Sequence, residues 1–147
     1  MINYFAEAEK TLRARGYLDA ALANLERRKE RIISRSGPSD YPAPDFSKPY
    51  ASTSSINDAL ADCLELAEVV REITATTEER DEIDRVLGQL DKDDREIVTL
   101  WYIERKSKEE IAAAVNYASA TSVYDLRNKA VAQFALLFFG AGALGSM

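Results

Sequence analysis

Between Ser119 and Lys129 the chain reads SATSVYDLRNK, and most of these side chains can donate or accept hydrogen bonds. Ser119, Thr121, Ser122, Tyr124, Asp125 and Asn128 suit the donor and acceptor edges that bases present in a duplex major groove. Arg127 and Lys129, with Lys106 and Lys108 upstream, suit phosphate oxygens. Asp125 stands apart, because an acid repels phosphate, although it can accept a hydrogen bond from cytosine N4. The same residue types also describe an ordinary solvated helix face. The elements around them must therefore decide.

Other chemistries are easier to set aside. The 147 residues contain no histidine and one cysteine, Cys63. A disulfide framework within one chain and a Cys/His zinc site are excluded, and no metal or cofactor is expected. Gly140-Ala141-Gly142 is too sparse for a phosphate loop. With no histidine base and with carboxylates at exposed helical spacings, no catalytic constellation is visible, and an enzyme is not expected. Cysteine usage fits a reducing cytoplasm. MINYFAEAEK lacks the basic segment and apolar run of a signal peptide. The longest apolar candidate, Ala130 to Leu144, is too short to span a membrane and carries Gln133.

The elements that must position Ser119–Lys129 read as helices. Asp91 suits an N-cap, with Asp93 and Asp94 favourable in the first turn. Ile97, Leu100, Trp101 and Ile103 form the buried face of that helix, with Trp101 in the core. Glu104-Arg105-Lys106 turns the chain. Ser107 followed three residues later by Glu110 is a capping box. It opens a short helix, Lys108 to Val115, with Ile111, Ala112 and Val115 inward. Asn116-Tyr117-Ala118 is a tight connector, and Ser119 can cap a last helix whose inward face is Val123, Leu126, Ala130, Phe134 and Leu137. A short capped helix, a tight turn and a longer helix follow the grammar of a helix-turn-helix. Its second helix would present its outer N-terminal face to a groove. Phe134, Leu136, Leu137, Phe138 and Phe139 cannot all face one side, so the excess must meet the N-terminal helices or another subunit.

The first 89 residues read as two long helices around a linker. Met1–Arg35 places Leu18, Leu22, Leu25 and Ile32 on one face, and Gly16 weakens its middle by about 1 kcal/mol relative to alanine. Ser36–Ser55 holds all four prolines, and its Tyr41, Phe46 and Tyr50 can pack on a neighbour. Ile56–Leu87 opens with Ser55 as cap. It carries an apolar stripe of Ile56, Leu60, Cys63, Ala67, Val70 and Ile73, with Cys63 as a small buried hydrophobe. Thr74-Ala75-Thr76-Thr77 weakens or bends it. Two helices of about 50 Å suggest an antiparallel pair with a thin core, helped by the C-terminal unit or a second chain.

Net charge is −6, which alone argues against nucleic acid. Its distribution removes the objection. Met1–Ser36 carries eight basic and five acidic residues, whereas Ile56–Leu90 carries three basic and ten acidic. From Asp91 onward there are seven basic and eight acidic. The acidity belongs to one long helix, and the suspected groove-reading unit is near neutral.

At Leu90–Ala130 the chain resembles region 4 of sigma-70-type factors. It resembles still more a family of small phage and prophage regulatory proteins that join such a module to an N-terminal helical region. The matching stretches are Leu100-Trp101-Tyr102, Ser107–Ala112 (SKEEIA) and Ser122–Ala130 (SVYDLRNKA). The N-terminal plan matches too, through a loop ending in Ser54-Ser55-Ile56. There are two departures. Ala112 to Val123 is one position longer than the family's usual spacing, and Asp125 stands where a basic residue is usual.

The resemblance implies an all-α fold, with a long antiparallel helical hairpin (residues 1–89) followed by a sigma-region-4-like helix-turn-helix (90–147). It implies phage or prophage gene control in the manner of late-gene activators, by a regulator of double-stranded DNA whose sign stays open, with bacterial RNA polymerase as a further candidate partner. A dimer is expected, and membrane contact is not. Two alternatives stay open: a protein-interaction module docking on polymerase, and the DNA-recognition subunit of a phage packaging motor.

Overall fold

The computed structural model describes residues 2–36, 53–115 and 120–146. The fold is all-α, with no strand among the described residues. The helices are α1 (Tyr4–Ser36), α2 (Thr53–Leu87), α3 (Lys92–Val98), α4 (Lys108–Ala114) and α5 (Ala120–Phe139). A π-helical segment, Thr99–Ile103, extends α3, and a 3-10 segment, Gly140–Ser146, follows α5. No helix among the described residues is long and apolar enough to cross a membrane. The expected connector Asn116-Tyr117-Ala118 and the linker aromatics Tyr41, Phe46 and Tyr50 lie outside the described residues.

The chain divides into two compact units, and both long helices run through the division. The first unit joins Met1–Asp19 to Glu78–Met147. Its core gathers Ala8 and Leu12 of α1, Ile83 and Val86 of α2, and Ile97 and Val98 of α3 around Phe134 of α5. Two ion pairs join α1 to α2 here: Arg15 Nε to Asp84 Oδ1 at 2.6 Å and Arg80 Nη1 to Asp19 Oδ1 at 3.5 Å. As the α1 position rises the α2 position falls, so the two segments run antiparallel in this unit. The aromatic excess of α5 meets the start of α1: the Tyr4 and Phe139 rings lie 5.2 Å apart. Leu137 departs from expectation. It is exposed, and Val131 and Ala135 are buried instead. Inward residues on a helix recur at three and four, and Val131–Ala135–Phe138 supplies that recurrence without Leu137.

Gly16 has a positive reason to be glycine. A Cβ there would lie 3.3 Å from the carbonyl oxygens of both Tyr102 and Ile103. The backbone of α1 thus passes close to the π-helical segment.

The second unit, Ala20–Thr77, is thinner. Among its described residues the buried apolar ones are Ile32 of α1 and Val69 of α2. Arg35 Nη2 donates to Asp62 at 2.7 Å and to Glu65 at 2.9 Å. Two expectations for α2 are corrected here. The helix starts at Thr53, so Ser55 is inside it and not its cap. The helix runs on through Thr74–Thr77, where the Thr74 hydroxyl donates to the Val70 carbonyl at 3.1 Å, a back-bond that slightly weakens and often bends helices. The stripe expected to be buried points outward: Ile56, Leu60 and Val70 are exposed, and so is Cys63. The residues turned inward are Asp62, Glu65, Leu66 and Val69. The ion pairs to Arg35 lie on that face of α2.

Candidate nucleic-acid interface

The platform for the candidate residues is set by α3, the π-helical segment, α4 and α5, all in the first unit. Asp91 precedes α3 in the cap position, but its side chain makes no capping hydrogen bond. The cap position is as expected, and only the side-chain bond is missing. The Asp91 carbonyl instead accepts from Arg95 N at 2.9 Å. The π-helical segment closes with Glu104 N donating to Thr99 O at 2.8 Å, an i to i+5 bond.

Trp101 and Tyr102 are neighbours in this segment but do different work. Tyr102 is buried, and its hydroxyl donates to Glu9 Oε2 of α1 at 2.8 Å. Burial first, and then that hydrogen bond, push the Tyr102 phenol well above its usual range. Trp101 is half-buried. The expectation of a core tryptophan therefore holds for only part of the ring.

Arg105 turns the chain with φ 53°, the left-handed region that non-glycine residues seldom occupy. Its guanidinium carbon lies 4.3 Å from the centroid of the Tyr17 ring, and Nη1 donates to the Tyr17 hydroxyl. Sequence reasoning assigned Arg105 no partner. No local signal marks it, since Tyr17 lies 88 residues away.

Ser107 caps α4 as expected, its hydroxyl accepting from Glu110 N at 3.2 Å. Buried Ile111 and Val123 join the hydrophobic core from α4 and α5.

A helix advances about 100° per residue. Asp125 and Asn128 accordingly share the outer face of α5. Tyr124 and Arg127 take one shoulder, Ser122 and Lys129 the other. Asp125, Asn128 and Lys129 are exposed, whereas Ser122, Tyr124 and Arg127 are half-buried. Ser119 and the Thr121 side chain lie outside the described residues.

Two candidates of α5, Tyr124 and Arg127, meet a third from α4, Lys108, on one shoulder. The Tyr124 ring meets the Trp101 ring edge-on, with centroids 5.3 Å apart. The guanidinium carbon of Arg127 lies 4.7 Å from the Trp101 centroid and 5.3 Å from that of Tyr124. Lys108 of α4 reaches the Tyr124 ring, Nζ to centroid 4.7 Å. The result is a cluster of two rings and two cations. Each contact is worth about 0.5–1 kcal/mol at an exposed site, enough to bias side-chain orientation. Arg127 also donates from Nε and Nη2 to Asn128 Oδ1, at 3.2 and 2.8 Å. That fixes the Asn128 amide with its nitrogen as the remaining donor end. Lys106 is exposed in the turn, where its backbone N donates to Leu100 O at 2.9 Å. It and Lys129 are not part of the cluster.

From Glu104 to Lys129 there are five cations and four acids. The surface can offer directional donors and a few cations, but not a strong positive field. Among the described residues no group of three or more His, Cys, Asp or Glu side chains is placed to hold a metal ion. Comparison with protein-family models, with curated proteins and with solved structures finds no match to this chain.

Proposed function

We propose that this protein is a DNA-binding transcription regulator of phage or prophage type, with α4 and α5 acting as a helix-turn-helix and α5 as the groove-reading helix. The observation that carries this reading is the outer face of α5. Asp125 and Asn128 stand exposed there, beside a shoulder where Arg127 and Tyr124 are held against Trp101 and Lys108. A fixed guanidinium beside a fixed amide suits directional recognition, because less side-chain freedom is lost on binding. The resemblance of Leu90–Ala130 to sigma-70 region 4 supports the same reading.

The test is fluorescence anisotropy with a duplex of mixed sequence, followed by selection from a randomised duplex pool. Lys106, Lys108, Arg127 and Lys129 give up to four phosphate contacts. With all four engaged, log K falls against log salt with a slope of about −3.6. No binding to duplex at low salt would overturn the reading.

The near balance of five cations and four acids favours a second reading, in which the module docks on bacterial RNA polymerase. A polymerase pull-down that persists after nuclease treatment distinguishes it. The weak field also predicts modest affinity for one copy, so pairing of copies would strengthen binding.

A further inference from the structure

The second unit turns its most apolar helix face outward. On α2, Ile56 is 66% exposed, Leu60 57%, Leu64 61% and Val70 41%. Cys63 and Ala67 on the same face are exposed as well. Meanwhile Asp62 and Glu65 face α1, engaged by Arg35. A lone helical pair would gain by burying the apolar stripe and wetting the acids. The opposite arrangement needs a further partner.

The spacing says what shape that partner has. Ile56, Leu60, Cys63, Ala67 and Val70 follow one another at four, three, four and three residues. That is the heptad seam of a coiled coil, running about 21 Å along the helix. Such a seam accepts a helix of the same spacing. Among the described residues outside α2 the exposed large apolar ones are Ile2, Tyr17, Ile33, Leu137 and Leu144, which form no seam. A surface of the same spacing is α2 of another copy.

The flanks agree. In a heptad register the positions beside the seam are Asn57, Leu64 and Arg71 on one side and Ala59, Leu66 and Ile73 on the other. They include one charge and no acid. The five acids between Ile56 and Ile73 all lie off the flanks. Two copies of an acidic helix can thus meet along this seam without like charges facing each other across it.

We propose that the stripe on α2 is a self-association surface, covered by α2 of a second copy of this chain in a two-fold dimer. The inference stands apart from the DNA-binding reading, since its test contains no DNA.

The test is light scattering and sedimentation equilibrium on the full chain. The expected mass is twice 16.4 kDa. Leu60→Asp should leave the helical circular dichroism unchanged, because Leu60 makes no core contact, and should weaken the dimer about 100-fold or more. Leu144→Asp, at an exposed apolar residue elsewhere, should leave the mass at the dimer value. Cys63 supplies a readout free of substitution. Its thiol should be shielded from an alkylating reagent at concentrations where the dimer forms and should react freely on dilution. A 16.4 kDa species at all concentrations, a mass of many copies, a Leu60→Asp protein that remains dimeric, or Cys63 reactivity independent of concentration would each overturn the proposal.

Discussion

Replacing Tyr102 with phenylalanine tests how the C-terminal helices are tied to α1. The Tyr102 ring stays in the same buried volume, so packing is preserved and only the hydroxyl is lost. That hydroxyl donates to Glu9 Oε2 at 2.8 Å, and the same oxygen accepts from Arg13 at 3.2 Å. A hydrogen bond to a charged group contributes about 1.5–3 kcal/mol. Glu9 keeps Arg13 and some contact with water after the change, its side chain being 19% exposed. The cost should therefore fall at the low end, about 1.5 kcal/mol. For a chain of this size that is about 3–6 °C in Tm.

The pH dependence adds an independent check. The folded state holds the Tyr102 phenol above its ordinary value near 10. Between the unfolded and the folded value the unfolded chain binds fewer protons, so stability falls as pH rises. The contribution is complete below about pH 10 and is lost progressively above it. Urea melts of both proteins followed by circular dichroism measure it. The gap between wild type and Tyr102→Phe should be constant from pH 7 to about pH 10 and then shrink. A gap under about 0.5 kcal/mol at pH 7, or one that does not shrink in alkali, would refute the role assigned to this bond.

Ser107→Ala should cost about 1 kcal/mol by removing the cap of α4; an unchanged urea midpoint would show that the cap is dispensable. Gly16→Val should lose about 2 kcal/mol through the close approach of the Tyr102 and Ile103 carbonyls, and Gly16→Ala should not show the gain of about 1 kcal/mol usual for a mid-helix glycine. Thermal melts of the two variants separate crowding from propensity. Arg127→Gln should weaken duplex binding and reduce the steepness of its salt dependence by about one unit. A lower affinity with an unchanged slope would mean that Arg127 acts through Trp101 and Tyr124 and not on a phosphate.

Several local signals in the sequence held, although the caps read at Ser55 and Asp91 did not form as expected. The Ser107–Glu110 cap, the inward residues Ile111, Val123, Ala130 and Phe134, and the basic-to-acidic contrast of the long helices all rest on neighbours within a turn or on simple charge. The largest failure required knowledge of a distant partner. The Ile56–Val70 stripe has the spacing of a buried face, yet it is exposed, and Asp62 and Glu65 meet Arg35 of α1 instead. Periodicity identifies an apolar face without saying which surface covers it. The cost of a mid-helix glycine was visible at Gly16, whereas the backbone it admits, 86 residues along the chain, was not. The candidate residues of α5 were legible as types. Their grouping with Lys108 and Trp101 was not, because it depends on the turn at Arg105 and on the π-helical segment.

That segment couples the candidate site to the core of its unit. Tyr102 is fixed to Glu9, and the next residue toward the N-terminus, Trp101, carries Arg127 and Tyr124 on its ring. Adjacent residues in a helical turn cannot move independently. A change that loosens Tyr102 therefore also shifts the plane on which Arg127 rests. The orientation of Arg127 in turn sets the Asn128 amide through two hydrogen bonds. A damaged core should accordingly reach the outer face of α5 before the unit unfolds. Within the proposed function, Tyr102→Phe should weaken selection among duplex sequences more than it weakens total duplex affinity, because exposed Lys106 and Lys129 are outside this chain of contacts. Equal losses in both would show that the cluster supplies charge alone.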